Sequence, residues 1–506
     1  MPPLIRSLSG LLALLVLLAG CEPLGLFQRL GPPGPQQPLV VGIPADAAFQ
    51  QAEPSSEGME GFTRDLVKSY AAQLGVGVNF IVAPDYPSLL AMIRAGKLHM
   101  VAGLPAPNDE PKLMRSEPLF ASQQIIVQQG SALPVDSLEK LAGREITLLP
   151  GAPQAASLRE LKIDPAPQLI ERPGQDELEL LATAARRSHT LVATDQLHFD
   201  IATNFYPELD IAFELPQTVN YVWVFPEDGK PLQEAANRFI DTIRQDGTLS
   251  HLYDRYFGHL YRMGTRDIEV FLEHARSRLP DYRPAFQAAQ EISGIDWRLL
   301  AALGYQESKW DPLATSPTGV RGLMMLTEDT ADRLNVKNRL NARESILAGA
   351  KYLAFLIDNL PDEIGHPDRL WFGLAAYNLG LGHLKGARAF APERKLDANS
   401  WADMKEILPL LSQPQYYARL KSGRARGGEA LIMVENVRNY FDILSRFEPA
   451  HLPPSLKPKA GKAGAMAAGP DGTKNGSRVG LKAPPPAGLK APPPGLKAPP
   501  PAGPAA

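Results

Sequence analysis

Glu307 is the residue of this 506-residue chain whose surroundings best suit acid–base chemistry. Asp296 can cap a helix on which Leu300, Leu303, Gly304 and Glu307 recur at three and four spacing, so the carboxylate shares a stripe with apolar positions. A carboxyl held against apolar neighbours loses the hydration its charged form needs. Its pKa rises, and it can still donate a proton near neutral pH. On spacing alone, the same glutamate reads equally well as a solvated charge near a helix end. Asp311 and Asp329 are nearby acids, but no spacing makes either a second catalyst. The nine histidines are scattered without ligand spacing and Cys21 is the only cysteine, so neither a metal centre, nor a cofactor, nor a thiol nucleophile is expected.

The elements that must position Glu307 lie in the second of two dissimilar regions. Up to about residue 259, strand-like runs alternate with helical ones. Leu39–Ile43, Val78–Val82, Gln124–Val127, Ile146–Leu148 and Tyr221–Phe225 read as strands. Arg64–Leu74 and Ser88–Ala95 read as helices, with Gly75 and Gly96 placed as C-caps. This alternation implies an α/β sheet domain. After Asp267 the strand signal nearly vanishes. Helices are expected near Glu269–Leu279, Pro284–Ser293, Trp297–Ser308, Ala342–Asn359, Leu370–Leu379, Pro414–Leu420 and Ala430–Arg446, enough to bury a core of their own.

Both ends of the chain differ from these regions. Arg6 precedes the apolar run Leu11–Leu18, which is shorter than the roughly 20 residues of a membrane-spanning helix and has the flanks of an export signal. Leu18-Ala19-Gly20-Cys21 resembles the bacterial lipobox. That resemblance implies cleavage before Cys21 and acylation of it, and Glu22 in the next position favours the periplasmic face of the outer membrane. Residues 451–506 read as a disordered tail, within which Gly-Leu-Lys-Ala-Pro-Pro-Pro occurs three times from Gly480 onward. The expected division is therefore a signal peptide over 1–20, a linker over 21–38, an α/β domain over 39–262, a helical domain over 267–450 and the tail. A net charge of −3 offers no bulk attraction to nucleic acid.

Three segments carry a resemblance with a stated chemistry. Gln306-Glu307-Ser308, then Ser316-Pro317-Thr318-Gly319-Val320-Arg321-Gly322-Leu323-Met324-Met325-Leu326-Thr327, then Ala375-Ala376-Tyr377-Asn378-Leu379-Gly380 resemble the signatures of the soluble-lytic-transglycosylase family. The resemblance implies a lysozyme-like helical fold and peptidoglycan glycan strands as substrate. It implies cleavage of the β-1,4 bond between N-acetylmuramic acid and N-acetylglucosamine, ending in a 1,6-anhydromuramic product. It makes Glu307 the catalytic acid and base and places Ser316, Met324, Tyr377 and Asn378 along the glycan cleft. Many relatives have glutamine where Met325 stands. A muramidase hydrolysing the same bond, and a non-catalytic glycan-binding domain on a lipidated receptor, are the competing readings.

In the first region, Glu60-Gly61-Phe62-Thr63-Arg64-Asp65-Leu66 and Leu74–Phe80 resemble the periplasmic amino-acid-binding proteins, whose two lobes close on a ligand. Relatives that bind free amino acids place an arginine soon after the segment matching Gly103-Leu104-Pro105. Here Asn108, Asp109 and Glu110 stand there, which argues against a free amino acid; a muropeptide or its stem peptide is the expected effector, and the alternative is a domain that merely packs on the catalytic one. Asp195, after the strand-like Leu191-Val192-Ala193, either meets a ligand amine or caps a helix.

Overall fold

The computed structural model describes residues 29–451 except positions 47, 50–60, 108–109, 134, 136 and 261–262. Cys21 and its apolar run, the repeat tail, and Asn108 and Asp109 lie outside the described residues.

Nine strands build one sheet: β1 (Leu39–Pro44), β2 (Val78–Ala83), β3 (Met100–Pro105), β4 (Leu113–Arg115), β5 (Phe120–Gln129), β6 (Glu145–Leu148), β7 (Gln168–Glu171), β8 (Leu191–Asp195) and β9 (Leu209–Pro226). Their order is β2-β1-β3-β9-β5-β8-β6-β7, with β4 on β9. Strands β2, β1 and β3 run parallel, as do β7, β6 and β8, giving each of two lobes its own parallel group. The antiparallel pair β5 and β9 joins the groups. β1 is buried at every position, which is why it reads as an unbroken apolar run. β9 spans 18 residues where only Tyr221–Phe225 reads as strand. Its first half is partly exposed and contains Pro216, which falls where the β5–β9 register slips. There the missing N–H breaks no ladder bond.

Helices α1 (Phe62–Leu74), α2 (Tyr86–Arg94), α3 (Gln154–Glu160), α4 (Glu177–Arg186), α5 (Gln196–Thr203), α6 (Lys230–Gln245) and α7 (Thr248–Phe257) complete the α/β part. Gly75 ends α1 at φ 70°, a left-handed cap that suits a residue without Cβ. Helices then follow one another: α8 (Thr265–Ser277), α9 (Leu279–Ser293), α10 (Trp297–Ser308), α11 (Glu328–Arg333), α12 (Ala342–Asp358), α13 (Asp368–Leu379), α14 (Leu381–Arg388), α15 (Trp401–Ile407), α16 (Pro414–Tyr417) and α17 (Gly427–Phe447). The helix anticipated from Pro284 begins five residues earlier and runs through that proline. Leu279, Phe286 and Ala289, all fully buried, hold its start and middle in the core, and this packing offsets one missing backbone bond.

The α/β and helical parts meet through a buried charge cluster. Glu435 of α17 accepts from Arg438, from Lys405 of α15 and from the Trp401 indole. Lys405 also bonds Asp254 of α7 at 2.8 Å, and Arg438 donates to the carbonyls of Asp254 and Arg255. Burial opposes the charge on Glu435, but Arg438, Lys405 and their hydrogen bonds outweigh it and hold its pKa near 2. A carboxyl depressed in this way contributes stability above its ordinary value and loses it as pH falls toward 2. Glu435→Ala strips Arg438 of its carboxylate, leaves Lys405 with Asp254 alone, and is expected to cost about 3–5 kcal/mol at pH 7. Thermal unfolding of wild type and variant measures that loss, and the difference should vanish near pH 2.

Candidate active site

The helix that carries Glu307 is set by its two ends. Asp296 caps it by accepting from the Arg298 amide at 2.8 Å, and Trp297 through Tyr305 is almost wholly buried. The helix stops after Ser308 because Lys309 and Trp310 both adopt left-handed conformations, at φ 55° and 57°. Such a conformation costs a non-glycine residue roughly 1–2 kcal/mol. The Trp310 side chain offsets that cost: it is buried against Phe271 and Tyr305, and its indole N–H donates to the Ala301 carbonyl at 2.8 Å. Glu307 therefore sits in the last turn of a helix that can neither slide nor extend.

The segment after the helix folds back onto it. Short bridges pair Thr315 with Arg321 and Arg321 with Leu326. Gly322 lies at φ 82°, and a Cβ there would stand 1.8 Å from the Arg339 carbonyl oxygen. Three hydrogen bonds then pin the next two residues. Ser308 Oγ donates to the Leu323 carbonyl at 2.8 Å, the Met324 amide donates to Ser345 Oγ at 3.1 Å, and the Tyr377 hydroxyl donates to the Met324 carbonyl at 2.7 Å. The Tyr377 ring lies 5.4 Å from that of Tyr352 on α12.

Glu307 is half-buried, with no hydrogen bond or ion pair among the described residues. Burial alone pushes its pKa up to about 7. Tyr377 is close enough to feel its charge: burial first, then the Glu307 carboxylate and Tyr352, raise the phenol well above its ordinary value, so Tyr377 keeps its proton.

The other anticipated residues take different places. Met324 is a correction, because its side chain is fully buried, wedged where Cβ atoms on Gly304 and Gly349 would collide with it. It presents a carbonyl to Tyr377 and no side chain to a strand, since the left-handed Met325 next to it turns outward instead. Ser316 is half-exposed, and its Oγ accepts from the amides of Thr318 and Val320, stapling its own turn. Asn378 is exposed in the last turn of α13. Asp195 caps α5 from a buried position, accepting from the Leu197 amide, Ser122, Tyr221 and the His198 ring. With both oxygens engaged, it is not open to a ligand amine. Ser308, Ser345, Gly304, Gly349 and Tyr352 form the frame of the site, and of these Ser345, Gly349 and Tyr352 went unread. Only Gly304, three residues before Glu307, carried a legible sign of close packing.

The helical domain that carries the unpaired Glu307 and the two-lobed α/β domain before it each match a known family. Residues 284–399 match the transglycosylase SLT domain and residues 39–259 match bacterial extracellular solute-binding proteins, family 3. A membrane-bound lytic murein transglycosylase F of Thiobacillus denitrificans is 44% identical over 400 residues, covering 78% of this chain and 84% of that one. Its counterpart in Nitrosospira multiformis is 40% identical over 459 residues, covering 88% and 94%. The GluR0 ligand-binding core from Nostoc punctiforme, solved with L-glutamate, aligns with 44% of this chain and 99% of its own at 22% identity and a TM-score of 0.38. The chain belongs to the membrane-bound lytic murein transglycosylase F family.

Gly322→Ala tests the frame. The left-handed backbone alone penalises alanine by about 1–2 kcal/mol, and the Arg339 carbonyl must also move. A lowered melting temperature with loss of turnover is expected, and unchanged values for both would show that the loop does not depend on this contact.

Proposed function

We propose that the protein is a peptidoglycan lytic transglycosylase in which Glu307 serves as acid and then as base. The observation that carries this reading is the partnerless Glu307 carboxyl, half-protonated near pH 7, within the residues that match the SLT domain. Its proton passes to the glycosidic oxygen as the bond from that oxygen to C1 of the muramic residue breaks, releasing the N-acetylglucosamine hydroxyl. The C6 oxygen of the same muramic residue then bonds to C1, and its proton returns to the Glu307 carboxylate. Atoms and charge balance without water, and a 1,6-anhydro ring remains. The nucleophile belongs to the sugar under attack, so its entropy of approach is already paid, and one carboxylate suffices where ordinary glycosidases use two. Tyr377 holds the Met324 carbonyl, while Ser316 and Asn378 meet the strand.

The first domain, taken as residues 39–262, is proposed to hold a muropeptide or stem peptide that changes the activity of residues 267–450. Membrane association is proposed to come from acylated Cys21 on the periplasmic face of the outer membrane. Among the described residues no helix is long and apolar enough to cross a membrane.

Glu307→Gln keeps the size of the side chain but neither gives nor takes a proton. General acid–base catalysis supplies roughly 10²- to 10⁴-fold, so turnover on intact peptidoglycan should fall by at least that factor while glycan binding persists. Mass spectrometry of wild-type products should show anhydro ends; reducing muramic ends would make the enzyme a hydrolase. Because the acid form is required, kcat should decline about tenfold per pH unit above 7. A carboxyl raised by folding lowers stability as pH climbs from its ordinary value through 7, so the non-ionising variant should unfold at a higher temperature than wild type at pH 8.

Cys21→Ala should lose a metabolically incorporated fatty-acid label that wild type retains. Equal labelling of the two would remove the anchor.

A further inference from the structure

The cleft between the two lobes of the first domain contains a buried charge group that the glycan chemistry does not use. His198, fully buried on α5 in the second lobe, places its Nδ1 2.9 Å from Asp195 Oδ2 and its Nε2 3.1 Å from Asp46 Oδ2. Asp46 belongs to the first lobe, two residues past β1, and is itself buried. A carboxylate only accepts, so a ring that faces one at each nitrogen must carry a proton on both. The ion pair is therefore continuous from one lobe to the other. Phe49, three residues after Asp46, sets its ring edge-on to His198 at 5.2 Å and packs on Phe62, Phe120, Tyr221 and Phe257. Almost no free volume remains there: the gap bounded by Asp46, Tyr86, Pro150 and Glu177 holds about 10 Å³.

We propose that the lobes are latched shut by the chain's own imidazolium, His198, bridging Asp46 and Asp195 in the position where a bound ligand would offer its cation. The inference stands apart from the glycan reaction and from whether a wall fragment binds this domain.

The groups around the bridge set the direction of release. Ser122 on β5 and Tyr221 on β9 each donate to Asp195, and Tyr221 and Tyr86 keep their protons because burial, then neighbouring carboxylates, raise them well above their ordinary values. Burial opposes charge on both partners. Yet the two carboxylates and their bonds hold His198 well above its ordinary value, while the imidazolium and the donors hold Asp195 near 2. Glu177, at the first turn of α4, is pushed up to about 8 by burial, and its Oε2 has no partner among the described residues. It is neutral at pH 7 and adds no third negative charge beside Asp46 and Asp195. A group raised by closure holds the closed state below its free value and releases it as pH rises through the raised one. His198 and Glu177 thus act in the same direction, and the cleft opens on the alkaline side.

Two measurements on the full-length chain test the latch. In protein labelled with ¹⁵N-histidine, the His198 ring should titrate well above the ordinary range, and Asp46→Asn should lower its midpoint by about one pH unit or more, since one of two flanking charges is gone. Spin labels at Gln73→Cys on α1 and Arg159→Cys on α3, both exposed, report lobe separation in a Cys21→Ala background. The distance should lengthen between pH 6.5 and 9.5 and should already be long at pH 6.5 in Asp46→Asn. Asp46→Asn leaves the contacts of His198 within the second lobe in place and keeps the test valid if His198→Gln fails to fold. A His198 midpoint that ignores Asp46→Asn, or a lobe separation independent of both pH and that substitution, overturns the proposal.

Discussion

Everything in the helical domain serves one unfavourable act, the removal of water from a carboxyl that receives nothing in return. Among the described residues Glu307 has no cation beside it and no amide aimed at it, so its pKa answers to solvation alone. That condition is fragile. A single mobile lysine or a slack loop would restore hydration or supply a counter-charge, and the proton would be lost at pH 7. The left-handed Lys309 and Trp310, the Gly322 corner and the three bonds onto Leu323 and Met324 make sense as means of denying both. Lys309 is two residues away, yet its ammonium is held over the Tyr305 ring at 4.5 Å and bonded to the Tyr440 hydroxyl.

The two domains solve opposite electrostatic problems. In the helical domain, one acid is isolated so that it stays protonated. At the junction with the first domain, Glu435 is surrounded by cations and stays charged, and between the lobes His198 is surrounded by carboxylates and does the same. Burial is common to all three; partner count decides the outcome. Ionic clusters of this kind contribute little net energy over an apolar core but tolerate no missing member, which suits junctions whose geometry must be unique.

How much of this was legible in the sequence depends on whether the relevant force was local. Helix α10 reads from Trp297 to Ser308 as it folds, because its cap and its periodic apolar stripe are nearest-neighbour properties, although the packing of Trp310 that stops it is not. The first half of β9 did not read as strand, because Pro216 and its exposed neighbours are tolerated only by a slip in register against β5, a fact of the partner strand. Asp195 caps its helix, one of the two roles its position after a strand suggests, whereas the cleft position expected of Met324 is not matched by its buried side chain. Sequence order says which residues lie near a site but not which way a side chain turns. The left-handed Met325 and the distant Tyr221 and Asp46 decide that.

Helix α17 adds a consequence in time. The SLT match ends at residue 399, yet Asn436 of α17 donates to Gln306, the neighbour of Glu307, and Tyr440 receives Lys309. Synthesis runs from the N-terminus, so α17 is made more than a hundred residues after the helix that carries Glu307. Until it arrives, α10 lacks the wall it packs against. The surroundings that isolate Glu307 are thus completed only once a helix more than a hundred residues further along the chain has docked.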